Sequence, residues 1–345
     1  MSVEIESEAR KVTAKDFASD QEVKWCPGCG DYSILKQVQS TLAEMGVKRE
    51  DTVFVSGIGC SSRFPYYMNT YGVHSLHGRA TALASGLKTA RPDLSTWIIT
   101  GDGDALSIGG NHLIHLVRRN LDVNVLLFNN EIYGLTKGQY SPVSRKGAIT
   151  KSTPMGSLDH PFNPLALCLG ADSTFIARAM DRDPKHLRVV LAEADKHKGT
   201  SMVEIYQNCN VFNDGAFFTF TEKATKANTT LYLEHGKPLV FGDDKNMGVK
   251  LEGFKPVVVK WEAEDMPQDL WIHDQYDPIK ASILTRFFEA PSDQMTLPRP
   301  FGVFYKAERS VYEEDVRNQL NDAVSAKGEG DLDALLSGSN TWEIS

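Results

Sequence analysis

The stretch GDGDALSIGGNHLIHLVRRNLDVNVLLFNNEIYGLTKGQ, residues 101–139, decides the fold that the sequence predicts. It follows TWIIT (96–100), an apolar run with the length of a buried strand, and it contains a second such run, VNVLLFNN (123–130). The segment between them, 105–120, has apolar residues at helical spacing despite two glycines. The order strand, helix, strand predicts a βαβ unit with two parallel strands.

The same alternation extends on both sides of this unit, from about residue 30 to about residue 210. Helical patterns cover 31–46 and 79–90, and apolar strand patterns cover 51–59 and 201–208. We therefore expect an α/β fold with a mainly parallel sheet flanked by helices, followed by a C-terminal extension.

The pattern changes beyond about residue 245. Residues 254–259 have a strand pattern, and 297–301 are expected to be extended because each proline disfavours helix at the residue before it. The segment after 326 is expected to be mobile or to dock on a partner. The expected divisions are an N-terminal arm (1–22), a main domain (23–245), an extension packing on that domain or on a partner subunit (246–305) and a polar tail (306–345).

The composition excludes several classes of protein. A chain of 345 residues with 41% hydrophobic and 24% charged residues is typical of a globular enzyme, and a net charge of −8 argues against nucleic acid as the main partner. We find no apolar run long enough to span a membrane and no secretory signal. Five cysteines, an odd number, favour a reducing compartment, so we expect a cytoplasmic protein.

Polar residues follow the two strands at the points where each ends. Asp102 and Gly103 follow the first strand, Asn130 ends the second, and 25 residues separate Gly103 from Asn129. Ligands bind at the carboxyl ends of parallel strands, where glycines let the backbone approach a phosphate. The side chains of Asp102 and Asn130 and the carbonyl of Ile132 offer oxygen ligands that suit a magnesium-bound diphosphate. The alternative is two unliganded loops of a doubly wound sheet.

The turn WCPGCG (25–30) contains two cysteines, Cys26 and Cys29. Such a pair holds zinc or an iron–sulfur cluster, exchanges a disulfide, or simply forms a turn. Zinc sites usually use two close pairs, and a disulfide-exchange role leaves Cys60 and Cys209 unexplained. Cys168 lies in an apolar helical context, where packing is the expected role.

The motifs together resemble a known family. The segment that begins with GDG and ends with NN resembles the thiamine-diphosphate-binding motif. With it, WCPGCGDYSIL, SGIGCSSRFP, HSLHGRATALASGLKTARPDL and IYGLTKGQ resemble the β subunit of 2-oxoacid:ferredoxin oxidoreductases, and the 2-oxoglutarate type most closely. The resemblance runs from about residue 25 to 213, and more loosely to about 305. It implies a pyrophosphate-type thiamine-diphosphate-binding fold and assigns cofactor and cluster binding to residues 23–245.

The resemblance also implies a [4Fe–4S] cluster held by Cys26, Cys29, Cys60 and Cys209. Four thiolates are the usual complement of such a cluster. Cys60 and Cys209 each follow a predicted strand at the edge where GDG and NN lie, so the four residues are expected to converge there.

The family match assigns further residues to thiamine diphosphate. They are Ile58, Gly59, Cys60, Ser61, Ser75, Leu76, His77, Gly78, Gly103, Asp104, Gly134 and Leu135. Without the motif a single histidine such as His77 is more often structural, and Asp104 is equally suited to capping the next helix. His112 and His115 have the spacing of a metal pair but are expected to be packing or surface residues.

The implied reaction converts a 2-oxoacid, coenzyme A and oxidised ferredoxin to acyl-CoA, CO₂ and reduced ferredoxin. His77 and Lys137 are the expected catalytic residues, with Lys137 pairing with the second carboxylate of 2-oxoglutarate. We find no carboxylate for the aminopyrimidine ring, so an α subunit is expected, in a dimer of αβ heterodimers. The alternatives are the same chemistry on pyruvate or another 2-oxoacid, a self-contained thiamine-diphosphate decarboxylase or synthase, and a zinc-stabilised, non-enzymatic module.

Overall fold

The computed structural model describes residues 12–262, 265–287, 297–342 and 344. Within these residues the central feature is an eight-stranded sheet with the order β2-β1-β3-β4-β8-β7-β13-β9. Two small antiparallel sheets, β5-β6 and β10-β11-β12, accompany it. The strands are β1 (Thr52–Ser56), β2 (Tyr71–His74), β3 (Ser95–Gly101), β4 (Asn124–Asn129), β5 (Ile132–Tyr133), β6 (Gln139–Tyr140), β7 (Phe175–Met180), β8 (Ser201–Tyr206), β9 (Thr230–Leu233), β10 (Val240–Phe241), β11 (Met247–Glu252), β12 (Lys255–Lys260) and β13 (Arg299–Lys306).

Helices cover both faces of the central sheet. They are α1 (Asp31–Met45), α2 (Ala80–Ala90), α3 (Gly110–Arg119), α4 (Pro164–Gly170), α5 (Pro184–Lys196), α6 (Phe218–Thr221), α7 (Lys226–Thr229), α8 (Pro278–Thr285), α9 (Tyr312–Lys327) and α10 (Leu332–Ser337). Helices α1 and α5 contribute to one hydrophobic core, and α2 and α3 contribute to the other. Among the described residues, no helix has the length and apolarity needed to cross a membrane.

Strands β3, β4 and β8 place the polar motifs side by side. β3 pairs in parallel with β4, with Gly101 opposite Phe128, and β4 pairs in parallel with β8, with Asn129 opposite Tyr206. Every residue of β4 and β8 is buried, as expected for parallel strands covered on both faces. The segments that follow these three strands therefore meet at one edge of the sheet. The predicted α/β fold with a mainly parallel sheet is confirmed.

The helix predicted over 105–120 is interrupted. Asp104–Ile108 forms a turn with π-helical hydrogen bonding, in which the Gly109 amide donates to the Asp104 carbonyl at 3.1 Å, and α3 begins at Gly110. A Cβ atom on Gly109 would lie 2.4 Å from the Asp104 carbonyl oxygen. The two glycines in this segment therefore mark a tight turn, and π-turns inside helices often occur at functional sites.

The C-terminal part of the chain joins the same sheet. Strand β13 begins within the predicted extended segment (297–301) and pairs antiparallel with β7 and parallel with β9. The predicted strand over 254–259 is observed as β12. In the polar tail, α9 has three acidic residues in its first turn and Lys327 in its last, an arrangement that stabilises a helix through its dipole. The divisions between domains stay predictions.

Candidate active site at the carboxyl edge of the sheet

The carboxylate of Asp104 joins three loops at this edge. Its Oδ1 accepts hydrogen bonds from the amides of Ile58 (3.1 Å) and Gly78 (2.7 Å) and lies 2.6 Å from His77 Nδ1. Its Oδ2 accepts a hydrogen bond from the Thr100 hydroxyl at 2.7 Å. Asp104 is buried. It therefore neither caps the following helix nor faces solvent, but fixes the loops after β1, β2 and β3 relative to one another.

Two glycines make this arrangement sterically possible. A Cβ atom on Gly57 would lie 1.8 Å from Asp104 Oδ2, and one on Gly103 would lie 2.1 Å from the Tyr133 ring. The Tyr133 hydroxyl also donates to the Gly103 carbonyl at 3.0 Å. Gly103 is thus needed for the close approach of Tyr133 to the loop after β3.

Asp102 is a buried carboxylate that suits a divalent cation. One of its oxygens accepts a hydrogen bond from the Ser141 hydroxyl at 2.6 Å. Burial raises the pKa of Asp102 to about 7, although the bond from Ser141 opposes this. A bound cation would stabilise the ionised carboxylate that burial disfavours, so the residue fits the predicted role of magnesium ligand.

Asn130 and Ile132 lie beside Asp102 in the wall of the same cavity. Asn130 Oδ1 accepts the Ile132 amide at 3.1 Å, which leaves a second lone pair for a metal ion. The Asn130 carbonyl accepts the Asn213 side-chain amide at 2.9 Å. The oxygen-rich donor set that the sequence predicts for Mg²⁺ is therefore brought together at one place.

The predicted cluster ligands gather at the adjoining side of the cavity. The sulfurs of Cys209 and Cys60 lie 3.6 Å and 3.7 Å from one point, the Cβ position built on Gly134. Burial, followed by the charge of Asp31, raises the pKa values of the Cys29 and Cys60 thiols, that of Cys60 to about 11. Iron binds cysteine as the thiolate, so a cluster would stabilise the ionised form that burial disfavours in Cys29 and Cys60.

Hydrogen bonds shape the CPGCG turn and attach it to the segment that carries Cys209. The Cys29 amide donates to the Cys26 carbonyl at 3.0 Å, and Gly28 has a φ of +83°, which favours glycine. The Asn210 side chain donates to the Pro27 carbonyl at 2.6 Å. The two cluster-ligand segments, distant in sequence, are therefore held together by the protein itself.

The arrangement of the cysteines also concerns the zinc alternative raised by the sequence. Among the described residues, which include all five cysteines, no three His, Cys, Asp or Glu side chains converge closely enough to hold one metal ion. Zinc needs all its ligands within about 2.3 Å of one centre, whereas a cubane cluster places its ligands at separate corners. Cys168 is buried in the core, as predicted, and His112 and His115 are half-buried on α3.

Most of the predicted site residues line one cavity of about 90 Å³. A cofactor pocket usually measures about 300–1,000 Å³, so this cavity can enclose only part of a cofactor. The predicted residues that line it are Ile58, Gly59, Cys60, Ser61, His77, Asp102, Gly103, Asp104, Asn130, Ile132, Gly134 and Leu135. Cys26, Cys29, Cys209 and Lys137 are outside its lining, as are three of the residues predicted to bind thiamine diphosphate: Ser75 donates to the Ser56 carbonyl, Gly78 to Asp104, and Leu76 is 74% exposed.

Lys137 is set apart from this cavity. It is exposed, has a φ of +81° and lines a neighbouring groove of about 720 Å³. Arg145, Lys146 and Lys151 line the same groove together with Glu131 and Asp214, so its lining carries a moderate excess of positive charge. The groove shares Ile132 with the cavity, so Lys137 lies close to the site but not in its wall.

Several residues of the site are not in the sequence prediction. Asp31, Tyr133 and Thr136 line the cavity, Ser141 binds Asp102, and Gln207 contacts both Asn130 and Cys29. Asp31 follows the CPGCG turn directly, and burial raises its pKa to about 7. Asp31 could have been identified because it directly follows the CPGCG turn, and Gln207 because it directly follows strand β8. Nothing in the sequence pattern points to Ser141.

Comparisons with known proteins show which proteins this chain is similar to. The profile "Thiamine pyrophosphate enzyme, C-terminal TPP binding domain" matches residues 57–205. The chain is 51% identical to the 2-oxoglutarate oxidoreductase subunit KorB of Mycobacterium tuberculosis over 96% of this chain and 88% of that protein. It is 48% identical to the β subunit of 2-oxoacid:ferredoxin oxidoreductase 1 of Aeropyrum pernix, over 55% of this chain and 60% of that one.

A solved structure is also similar over nearly the whole chain. It is the 2-oxoglutarate:ferredoxin oxidoreductase from Magnetococcus marinus, solved with 2-oxoglutarate, coenzyme A and succinyl-CoA bound. The TM-score is 0.75 at 30% identity, covering 97% of this chain and 98% of that one.

The fold and the site thus define a thiamine-diphosphate-dependent oxidoreductase subunit. The chain belongs to the family of 2-oxoacid:ferredoxin oxidoreductase β subunits, with its similarity to the 2-oxoglutarate type extending over almost its full length. The resemblance seen in the sequence motifs is confirmed. A β subunit implies an α partner.

Proposed function

We propose that this chain, with an α subunit, catalyses the reversible, coenzyme A-dependent oxidative decarboxylation of 2-oxoglutarate to succinyl-CoA and CO₂. Its electrons pass through a [4Fe–4S] cluster to ferredoxin. One observation carries the proposal: Asp102, Asn130 and Cys60 line the same cavity, and the sulfurs of Cys60 and Cys209 both lie beside Gly134 in its wall. The loop 58–61 therefore lines the cavity and also carries a proposed cluster ligand, Cys60. Such proximity would suit electron transfer between a cofactor in the cavity and a cluster at the cysteines.

Asp102, Asn130 and the Ile132 carbonyl would hold Mg²⁺ and, through it, the diphosphate. Thiamine diphosphate supplies the electron sink that makes decarboxylation of a 2-oxoacid possible. The protein contributes position and electrostatics. Ser141 orients the Asp102 carboxylate, and Asp104 keeps the Ile58 and Gly78 amides at the cavity.

His77 is the ionisable side chain best placed to act on substrate. Asp104 Oδ1 also accepts two backbone amides, so it acts as an acceptor for His77 Nδ1 and leaves Nε2 for a substrate. The side chain is 40% exposed and lines the cavity, so Nε2 is accessible to a bound substrate. In this arrangement His77 can orient a substrate oxygen or accept a proton from one.

Cys26, Cys29, Cys60 and Cys209 would hold the cluster, which supplies one-electron transfer between the thiamine site and ferredoxin. The half-buried sulfurs of Cys60 and Cys209 lie nearest to Gly134, a residue of the cavity wall. Cys26 is exposed, which leaves one corner of the cluster near the protein surface. A ferredoxin docking at that surface would receive electrons over a short distance.

The α subunit is proposed to close the cavity. Large apolar side chains stand exposed around the site, including Leu76 (74%), Ile108 (53%) and Leu135 (44%). A cluster of such side chains marks a protein interface. The pyrimidine-side carboxylate is proposed to come from that subunit, and the dimer of αβ heterodimers and the cytoplasmic location stay predictions.

The second carboxylate of 2-oxoglutarate requires a cation near the site. Lys137 and the neighbouring Arg145 and Lys146 supply positive charge in the groove beside the cavity. The similarity to a structure solved with 2-oxoglutarate and coenzyme A also favours this substrate over pyruvate.

The test is an anaerobic assay of the chain with and without its α subunit. With both subunits, 2-oxoglutarate and coenzyme A should reduce ferredoxin, and pyruvate or 2-oxobutyrate should do so much more slowly. The β chain alone should be inactive. Activity from the β chain alone, or a preference for pyruvate, contradicts the proposal.

A further inference from the structure

Gln207 has contacts in both halves of the site. It is the residue directly after β8, it is 1% exposed, and its backbone N–H donates to the Asn129 carbonyl at 2.9 Å. Its side-chain Nε2 lies 3.2 Å from Cys29 Sγ, and its Oε1 accepts the Asn130 Nδ2 amide at 2.9 Å. One buried side chain therefore joins a proposed magnesium ligand to a proposed cluster ligand.

The hydrogen bonds fix which end of the amide faces the sulfur. One Nε2 proton is directed at the Asn208 carbonyl, 2.7 Å away, and the other at Cys29 Sγ. The opposite orientation would place Oε1 against the Asn208 carbonyl and Nε2 against the Asn130 amide, with two pairs of like groups facing each other. Asn130 is oriented in turn, because its Oδ1 accepts the Ile132 amide.

We propose that Gln207 is a positioning residue that raises the reduction potential of the cluster by donating to Cys29 Sγ, and that it couples this potential to occupancy of the Asn130 site. The proposal rests on the proposed function, since it requires the cluster. It assigns a role to a residue that touches neither substrate nor thiamine diphosphate.

The effect on the potential follows from charge. Reduction adds negative charge to the cluster and its thiolates, and an N–H donor stabilises the more negative state. Gln207 is fully buried, so no water replaces its proton if the side chain is changed. Removal of the donor should therefore make the cluster harder to reduce.

The coupling follows from the direction of the hydrogen bonds. Asn130 Nδ2 donates to Gln207 Oε1, and Gln207 Nε2 donates to Cys29 Sγ. A cation on Asn130 Oδ1 withdraws electrons from that amide and makes its N–H a stronger donor. Hydrogen bonds in such a chain strengthen one another. Magnesium-bound cofactor should therefore strengthen the bond to Cys29 and raise the potential further.

The first test compares wild type, Gln207→Met and Gln39→Met in the αβ complex. Methionine keeps the length of the side chain without its polar atoms. Gln39, on α1, is the matched control, because it is also buried and its Nε2 donates to the Tyr67 carbonyl and not to a cysteine sulfur. Potentials are measured by anaerobic redox titration with the cluster signal in electron paramagnetic resonance.

Gln207→Met should shift the reduction equilibrium about tenfold toward the oxidised cluster, equivalent to about 59 mV for one electron. Gln39→Met should leave the potential at the wild-type value. Addition of Mg²⁺ and thiamine diphosphate should raise the potential of wild type more than that of Gln207→Met. An unchanged potential in Gln207→Met with a full complement of iron overturns the inference.

A second measurement needs no variant, in case Gln207→Met fails to fold or loses iron. Wild-type complex carrying ¹⁵N only in glutamine side-chain amides is reduced and examined by pulsed electron paramagnetic resonance. A hyperfine coupling from one amide nitrogen supports the hydrogen bond to the cluster thiolate, and the absence of coupling overturns it. Wild type without iron would contradict the proposed function instead, so the two failures are distinguishable.

Discussion

His77 Nδ1 lies 2.6 Å from Asp104 Oδ1, although 26 residues separate the two along the chain. The same oxygen also accepts the amides of Ile58 and Gly78. One carboxylate thus holds the loop after β1, the HGRA segment and the GDG segment in a single arrangement. The shape of the cavity therefore depends on this carboxylate, which joins the loops and does not cap the following helix.

Asp104→Ala should therefore lower both the stability of the folded protein and its affinity for thiamine diphosphate. The buried Ile58 and Gly78 amides lose their acceptor, so the free energy of unfolding should fall by about 3 kcal/mol. Affinity for thiamine diphosphate, measured by calorimetry on the αβ complex, should fall at least tenfold. Asp93→Ala is the matched control, because Asp93 is exposed and pairs only with Arg91. Equal effects of the two changes would contradict this account.

Asp102→Ala should separate cofactor binding from the cluster. Loss of the carboxylate removes the charged magnesium ligand, so thiamine diphosphate affinity should fall roughly a hundredfold and turnover should stop. The cluster should remain, because no contact links Asp102 to the cysteines in the described structure. Calorimetry and iron analysis on the same sample measure both effects. Cofactor affinity equal to that of wild type would remove the assignment.

Single replacements of Cys26, Cys29, Cys60 or Cys209 by serine should each lose iron and ferredoxin reduction. Cys168→Ser should keep both, because that thiol is buried in the core. Its cost should be a modest loss of stability from a hydroxyl placed in an apolar site. Iron and sulfide analysis of the five variants measures the outcome. A full cluster in Cys209→Ser would show that this residue is not a ligand.

Two buried histidines should make stability sensitive to acid. Burial lowers the pKa values of His197 and His186 to about 4, whereas the unfolded chain protonates near 6.5. Each therefore contributes stability that is fully present above pH 6.5 and lost as pH falls toward 4, by up to about 1.4 kcal/mol per pH unit. Buried carboxyls such as Asp102 have the opposite dependence, so the effect must be read as a difference between variants.

His197→Gln should thus reduce the loss of stability between pH 6.5 and pH 4 relative to wild type, measured by urea unfolding at several pH values. The exposed His160→Gln is the control and should follow the wild-type curve. Parallel curves for wild type and His197→Gln would mean that His197 is already charged in the folded protein.

Lys137→Ala tests substrate selection. A hydrogen bond to a charged group is worth about 1.5–3 kcal/mol, so the KM for 2-oxoglutarate should rise roughly tenfold to a hundredfold while pyruvate is hardly affected. Lys185→Ala, at an exposed position on α5, should change neither. Lys137 lines the groove and not the cavity wall, and Lys146 lines the same groove. Lys146→Ala should therefore have a smaller effect in the same direction. Equal losses on all substrates would assign Lys137 to the loop.

The fold was largely predictable because hydrophobic periodicity and strand-end motifs agree. The strands β3, β4 and β8 and the helices α1 and α2 lie within a few residues of the predicted segments. Asp102 and Asn130 were predictable since parallel strands bring their carboxyl ends to one edge. The cysteines were identified by the family resemblance, and the structure brings Cys60 and Cys209 together as that resemblance implies.

The rest depends on contacts that a linear pattern does not encode. The four-way binding of Asp104 links loops from three strands, and no local motif distinguishes that role from a helix cap. Ser141 and Gln207 reach the site through the β5–β6 hairpin and the end of β8, and neither residue type is diagnostic. The interruption at Gly109 follows from backbone packing that helical periodicity cannot reveal.

The most direct test of the central claim is the anaerobic visible spectrum of the αβ complex before and after addition of 2-oxoglutarate and coenzyme A. We expect a brown protein with broad visible absorption and about four iron and four sulfide per β chain. The absorption should bleach partly when both substrates are added, because electrons from decarboxylation enter the cluster. A colourless, zinc-containing protein, or a brown one whose spectrum the substrates leave unchanged, would contradict the account.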